Sequence, residues 1–324
     1  MDGHDTPPPV HVASIADPDL LAAALRDAQV EYLRLAPTPF TATLTTIDLG
    51  PARVQLAADH AHIARGEVGA DQSMLLVGVE VPDGGTQVNG AAVRTGDTIH
   101  LGAGAPIFAR VLDPIRWAAV SFHVDTLQAA MRAESLPRDG DFLLHHGGAG
   151  HAALARFVEE AGQLAARDPA RLALASVRRS MAEEALRLSL AAASDPAPLD
   201  ASHRAVRRRV ALVAQAEEVL SARLGTPLYS DDLQQALGVP MRTLHNAFVA
   251  VHGMSVHRYL RLRRLHLARA ALRAGNGSVS HVKIAALSHG FWHLGRFAQE
   301  YRDLFGELPS QTMARGQAAR PGDA

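Results

Sequence analysis

One supersecondary unit is written twice in the last third of this 324-residue chain. The sharper copy reads Ile284-Ala285, Gly290-Phe291, Phe297, Tyr301, Phe305-Gly306 and Pro309-Ser310. The looser copy reads Leu233, Leu237-Gly238-Val239, Leu244, Phe248, Gly253, Ser255 and Tyr259. Each carries apolar residues at helical spacing, a glycine where the chain must turn, and a second apolar stripe. That is two helices joined by a tight turn, a shape that presents one helix to the major groove of DNA.

The charge distribution points the same way. Residues 1–202 hold 15 Lys/Arg against 25 Asp/Glu, a net of −10, and residues 203–320 hold 17 against 7, a net of +10. A basic region joined to an acidic one implies that only the second meets a polyanion. The chain has no cysteine, which excludes a disulfide framework, thiolate metal sites and thiol catalysis. No run approaches the ~20 apolar residues of a membrane span, and Met1–Pro9 does not read as a signal peptide. A cytoplasmic protein with no membrane partner is expected.

The expected fold class is α+β. Residues 1–11 read as a disordered tail and 12–150 as a β-rich domain. Within it, Asp17 caps a short helix to Leu25 with Pro18 in its first turn. From Phe40 to Val124 short β-rich runs alternate with turns, and Asn89-Gly90 is a strong hairpin signal because both positions tolerate positive φ. Many short strands imply a small barrel or sandwich. Residues 151–193 read as a helical hairpin, with Leu154, Val158 and Leu164 on one stripe and Leu172, Val177, Met181, Ala185 and Leu188 on another. That apolar face must pack either on the β domain or on a second subunit. Residues 194–203 hold two prolines and form the expected linker, 204–315 the second domain, and 316–324 a tail.

In the second domain, Val206, Val210, Val213, Leu220 and Leu224 share one helical face. Pro240 starts the first recognition helix, whose buried face is Met241, Leu244, Phe248 and Val251. Its opposite face presents Arg242 and Asn246, with His245 beside them. Ser255 caps a long arginine-rich connecting helix that ends near Ala274. The second recognition helix buries Phe291, Leu294, Phe297, Tyr301 and Phe305, and presents Trp292, Arg296, Gln299 and Asp303. Arginine reads guanine, and Asn or Gln reads adenine, through paired hydrogen bonds. Arg242, Asn246, Arg296 and Gln299 are therefore the expected base contacts. His245, Arg258, Arg261, His293 and Arg302 are the expected phosphate or secondary contacts.

Residues from about Val206 to Arg315 resemble the DNA-binding domain of the AraC/XylS family of bacterial transcription regulators. The motifs that carry the resemblance are Leu262-Arg-Arg-Leu-His-Leu-Ala-Arg-Ala-Ala-Leu272, Ile284-Ala285, Gly290-Phe291, Phe297, Phe305-Gly306 and Pro309-Ser310. Pro240 and Gly295 depart from it, since the family often has Ser at both. The resemblance implies two recognition helices in successive major grooves of double-stranded DNA, recruiting RNA polymerase or blocking it, with an activator and a homodimer as the family expectation. It also implies an N-terminal domain that senses a small-molecule effector. Residues Val12 to Val124 are similar in outline to the family's cupin-like barrels, more weakly.

One constellation supports a different reading. His60, His62 and Glu67 follow an HxHxxxxE spacing, and on one strand the two histidines could ligate a divalent metal with the carboxylate. That would make the chain a metal-dependent cupin enzyme with a DNA-binding tail. The late histidine that metal cupins add is absent from Gly102 to Ile107, so neither a metal nor another cofactor is expected. A third reading is a ligand-free regulator whose helical hairpin, 151–193, binds a protein partner.

Overall fold

The computed structural model describes residues 8–130, 137–194, 201–223, 226–274 and 279–318. It forms two compact units, Met1–Tyr32 with Phe40–Arg207, and Leu33–Pro39 with Arg208–Ala324.

In the first unit, twelve strands among the described residues fall into two antiparallel sheets. The strands are β1 (Val10–Ile15), β2 (Ala28–Arg34), β3 (Ala42–Asp48), β4 (Ala52–Asp59), β5 (His62–Val68), β6 (Gln72–Glu80), β7 (Thr86–Val88), β8 (Ala91–Ala92), β9 (Thr98–Leu101), β10 (Pro106–Val111), β11 (Ile115–His123) and β12 (Phe142–His145). The larger sheet has the order β1-β3-β4-β11-β6-β9-β12 and the smaller β2-β5-β10-β7-β8. The α+β expectation holds, but the barrel is corrected to two open sheets. Between β1 and β2 lies helix α1 (Pro18–Ala24). Its cap is as expected, with the Asp17 carboxylate accepting from the Asp19 amide at 2.9 Å. Asn89 and Gly90, at φ 50° and 75°, join β7 to β8 in a two-residue turn. The Asn89 side chain also donates to Pro106 and accepts from the Phe108 amide, both at 2.9 Å. The turn residue thereby fixes the neighbouring strand as well.

After β11 come α2 (Val124–Ala130), α3 (Ala149–Arg167), α4 (Pro169–Leu172) and α5 (Ala175–Ser194). The helical hairpin turns its apolar face onto its own sheet. Leu154, Phe157, Val158, Ala161, Ala185 and Leu188 pack with Val54, Leu75, Val120 and Phe122 of the larger sheet in one core. Of the two options open to that face, the intramolecular one is realised.

Several boundaries move. β1 starts at Val10, inside the expected N-terminal tail, and residues 1–7 lie outside the described residues. The long helix α6 (Ala201–Ala222) starts inside the expected linker, whose residues 195–200 also lie outside them, as does Leu224. The second unit continues with α7 (Ser230–Leu237), α8 (Met241–His252), α9 (Val256–Ala274), α10 (Val279–Ser288), α11 (Leu294–Phe305) and α12 (Pro309–Ala318). The last of these carries helix into the expected C-terminal tail, and residues 319–324 lie outside the description.

Candidate nucleic-acid interface

Two helix-turn-helix frames are present, α7–α8 and α10–α11, with α9 between them. The first frame starts at Tyr229, the residue before α7, whose amide donates to the Asp232 carboxylate at 2.8 Å. Gly238, at φ 64°, ends α7. Helix α8 buries Leu244, Ala247, Phe248 and Val251 and exposes Arg242, His245, Asn246 and Val249. The side chains of Arg242 and Asn246 make no hydrogen bond or ion pair among the described residues. Across the Gly253 turn, α9 is capped by the Ser255 hydroxyl, which accepts from the Arg258 amide at 3.2 Å.

The second frame turns at Gly290. Its φ is 75°, and a Cβ there would lie 2.6 Å from the Tyr229 hydroxyl and 2.9 Å from Arg264 Nη1. Both conformation and space therefore require glycine. Helix α11 buries Phe297, Tyr301, Leu304 and Phe305 and exposes Arg296, Gln299, Arg302 and Asp303. Its inner face differs from expectation at two points. Leu294 is 39% exposed because it opens the helix, with Phe291 packed in the preceding turn instead, and Leu304 takes an inner place. In α10 the small Ala285 and Ala286 are buried, while Ile284 faces outward. Trp292 is 70% exposed at the mouth of α11, next to His293.

The exposed face of α11 is already wired. Arg296 Nε donates to Glu300 Oε1 at 2.9 Å. The Gln299 amide donates to Asp303 at 2.8 Å and accepts from Arg302 at 3.0 Å. Tyr301, Thr312, Glu307 and Arg315 form a chain of hydrogen bonds that fastens α12 to α11: Tyr301 Oη to Thr312 Oγ1 at 2.7 Å, Thr312 to Glu307 at 2.7 Å, and Arg315 to Glu307 at 2.6 Å.

Of the six arginines of α9, Arg263 and Arg264 are buried, Arg261, Arg269 and Arg273 are half-buried, and Arg258 is exposed. The Arg264 guanidinium lies 4.6 Å over the Tyr229 ring and 5.4 Å from that of Phe291. Arg269 covers Phe305 at 4.9 Å, and Arg263 is buried 3.7 Å from Glu217. Arg261 is half-buried and bonded to Glu300, whereas Arg258 is exposed. Sequence periodicity missed this because arginine's long stem lets its head reach aromatic faces from an inward position.

In the first unit, residues of the two sheets line a partly open pocket of about 100 Å³. Its walls are mostly apolar residues, Ala64, Ala109, Val111, Leu76, Trp117 and Ala119 among them, with Arg26, Tyr32, Gln55, His62 and Thr86 as polar members. Val111 pairs with His62 on one side and Thr86 on the other, so the three share one row of the smaller sheet. The Thr86 hydroxyl is buried without a hydrogen-bond partner among the described residues. His62 Nδ1 lies 2.6 Å from the His60 carbonyl and must donate to it, which leaves Nε2 as an acceptor in the neutral ring. The alternative metal trio of His60, His62 and Glu67 does not assemble. His60 lies between strands, 2.7 Å from the Thr41 hydroxyl, and Glu67 is exposed near the far end of β5, five residues and roughly 16 Å from His62. No cluster of three metal-ligating side chains occurs among the described residues. No described helix is long and apolar enough to cross a membrane.

Residues 233–315 match the family model of a helix-turn-helix domain. The chain is 45% identical over 74 residues to the "XylDLEGF operon transcriptional activator 1" of Pseudomonas putida, a match covering 23% of this chain and 22% of that protein. It is 32% identical over 102 residues to the "Probable thc operon regulatory protein" of Rhodococcus erythropolis, covering 32% and 31% respectively. Among solved structures, a probable AraC family transcriptional regulator from Rhodopseudomonas palustris is 38% identical, over 34% of this chain and 99% of that one, with a TM-score of 0.29. The chain thus spans about a fifth to a third of the length of these two curated relatives. With two helix-turn-helix frames in place and these matches lying over them, the C-terminal part of the chain is a DNA-binding domain of the AraC/XylS family.

Proposed function

We propose that this chain is a sequence-specific DNA-binding transcription regulator, and that it activates in response to a small molecule held by its N-terminal unit. One observation carries the reading. Helices α8 and α11 each bury an apolar face and expose the side chains that chemistry suits to base edges. Arg242 and Asn246 read bases from α8, and Arg296 and Gln299 from α11. His245, Arg258, His293 and Arg302, all exposed, contact phosphate and set the register. Arg261, held by Glu300, serves from behind. The effector site is the pocket between the two sheets, whose apolar walls and few polar groups fit a small ligand. A second copy of the chain and RNA polymerase are the proposed protein partners, and the cytoplasm is the proposed compartment. The enzyme reading gains no support from the positions of His60, His62 and Glu67.

The test is a footprint of the full chain on DNA flanking its own gene at near-physiological salt. The expected result is protection of two adjacent major-groove segments about one helical turn apart. Equal affinity for that DNA and for random DNA, at every salt concentration tried, would sink the proposal.

A further inference from the structure

One carboxylate in α11 holds two arginines at once. Glu300 Oε1 accepts from Arg296 Nε at 2.9 Å, one turn earlier in the same helix. Glu300 Oε2 accepts from Arg261 Nε of α9 at 2.7 Å, and Arg261 Nη2 closes a second bond to Oε1. The Arg296 side chain is 71% exposed and that of Glu300 only 23%. The carboxylate is thus gripped from the interior by a fork on a second helix, and it grips in turn an arginine that faces outward.

We infer that Glu300 is a positioning residue for DNA readout: it aims Arg296 at a guanine and dictates how that guanine is read. A guanidinium offers five N–H donors in a rigid plane. With Nε engaged by Glu300, the edge left facing outward is the terminal Nη1/Nη2 pair, which meets guanine O6 and N7 end-on through two parallel bonds. An exposed arginine otherwise gives up its rotamer freedom when it binds, and one already oriented gives up less. The other expected readers lack this arrangement. Gln299 has both ends of its amide engaged within its own helix. Arg242 and Asn246 have no such buttress among the described residues.

This inference rests on the DNA-binding reading, and charge makes it separable from a merely structural role. Glu300 adds negative charge beside a polyanion, so neutralising it should by charge alone strengthen binding to every DNA sequence. Loss of orientation should instead weaken preference for one base. The two effects act on different readouts.

The experiment measures affinity of the full chain and of Glu300→Gln on the footprinted operator, on operators with each guanine of the second protected segment replaced, and on random DNA. Glu300→Gln is expected to bind random DNA at least as well as the parent, while its preference for one guanine falls about tenfold. In an Arg296→Ala background the same change should no longer affect that preference, the signature of coupled residues. Arg261→Lys keeps the charge but loses the fork, and should lower preference for the same guanine, which guards against a fold defect particular to Glu300→Gln. Parallel gains on operator and random DNA with an unchanged ratio would overturn the inference, as would an equal loss with and without Arg296. A parent chain with no sequence preference would instead fail the DNA-binding reading itself.

Discussion

The imidazole of His252 lies flat on the ring of Tyr259, with centroids 4.4 Å apart and planes 14° apart. Phe248 closes the cluster, 5.6 Å from His252 and 5.2 Å from Tyr259. All three are fully buried, and the stack spans the Gly253 turn, so it sets the angle at which α8 leaves α9. Tyr259→Ala is expected to cost about 3 kcal/mol or more, as aromatic truncation in a core does. His252→Ala should cost less. Denaturant unfolding gives the stability loss, and the footprint should fade first over the segment read by α8.

Ala119 faces the pocket between Gln55 and Leu76 of its row. Ala119→Leu would fill much of a space of about 100 Å³. Folding stability should fall by about 1–3 kcal/mol, the range for adding methylenes to a packed interior. If the pocket is the effector site, any shift in melting temperature caused by small neutral aromatics such as phenol should disappear in this variant. Persistence of a phenol shift in Ala119→Leu would place the site elsewhere.

Among the base readers, unequal effects are expected. Arg242→Ala and Arg296→Ala should each relax preference at one guanine, at a cost of ~1–3 kcal/mol. Gln299→Ala should cost less, because Gln299 must first leave Asp303 and Arg302 before it can pair with a base. Binding to a set of single-base operator variants separates these effects.

Arg258 is exposed on α9 and touches no acid among the described residues. Arg258→Ala should weaken binding to all sequences alike and reduce the salt dependence of log K by about one unit. An unchanged slope would remove Arg258 from the phosphate contacts.

His100 is buried on β9, with its Nε2 2.9 Å from the Ser73 hydroxyl. Burial first, and the neighbouring His145 second, hold its pKa down to about 3. The folded value lies below the ordinary 6.5, so the unfolded chain takes the proton more readily. The neutral histidine's contribution is fully present above pH 6.5 and is lost as pH falls toward 3, with a slope of up to ~1.4 kcal/mol per pH unit. His100→Asn should flatten the stability profile in that window by about one proton's worth, measured by denaturant unfolding from about pH 7 to about pH 5.

Much of the second unit was legible because its signals are local. Gly238, Gly253, Gly290 and Gly306 all adopt positive φ and end or join helices where the periodic stripes break. Asn89-Gly90 and the Asp17-Pro18 helix start were legible for the same reason. Elements defined by distant partners were not. β1 pairs with β3 some thirty residues away, and four-residue β12 pairs with β9, so neither carries a clear signal of its own. The interior arginines of α9 were hidden because their burial depends on Tyr229, Phe291 and Phe305, which arrive from other helices. Likewise Ile284 reads as core in the linear pattern, yet two alanines take the inward positions in α10. The candidate base readers were named from their place opposite the apolar stripe. Their pairing with Glu300 and Asp303 is not legible in the sequence, since i to i+4 pairing competes with solvent exposure only once the helix exists.

The helical hairpin spends its greasy side on its own sheet, and the side left outward carries Arg156, Glu160, Arg179, Glu183 and Arg187. A twin molecule approaching this hairpin would meet ionic groups of both signs rather than an oily seam. Any pairing there is of the kind that potassium chloride loosens and that a single charge reversal can make choosy about its mate.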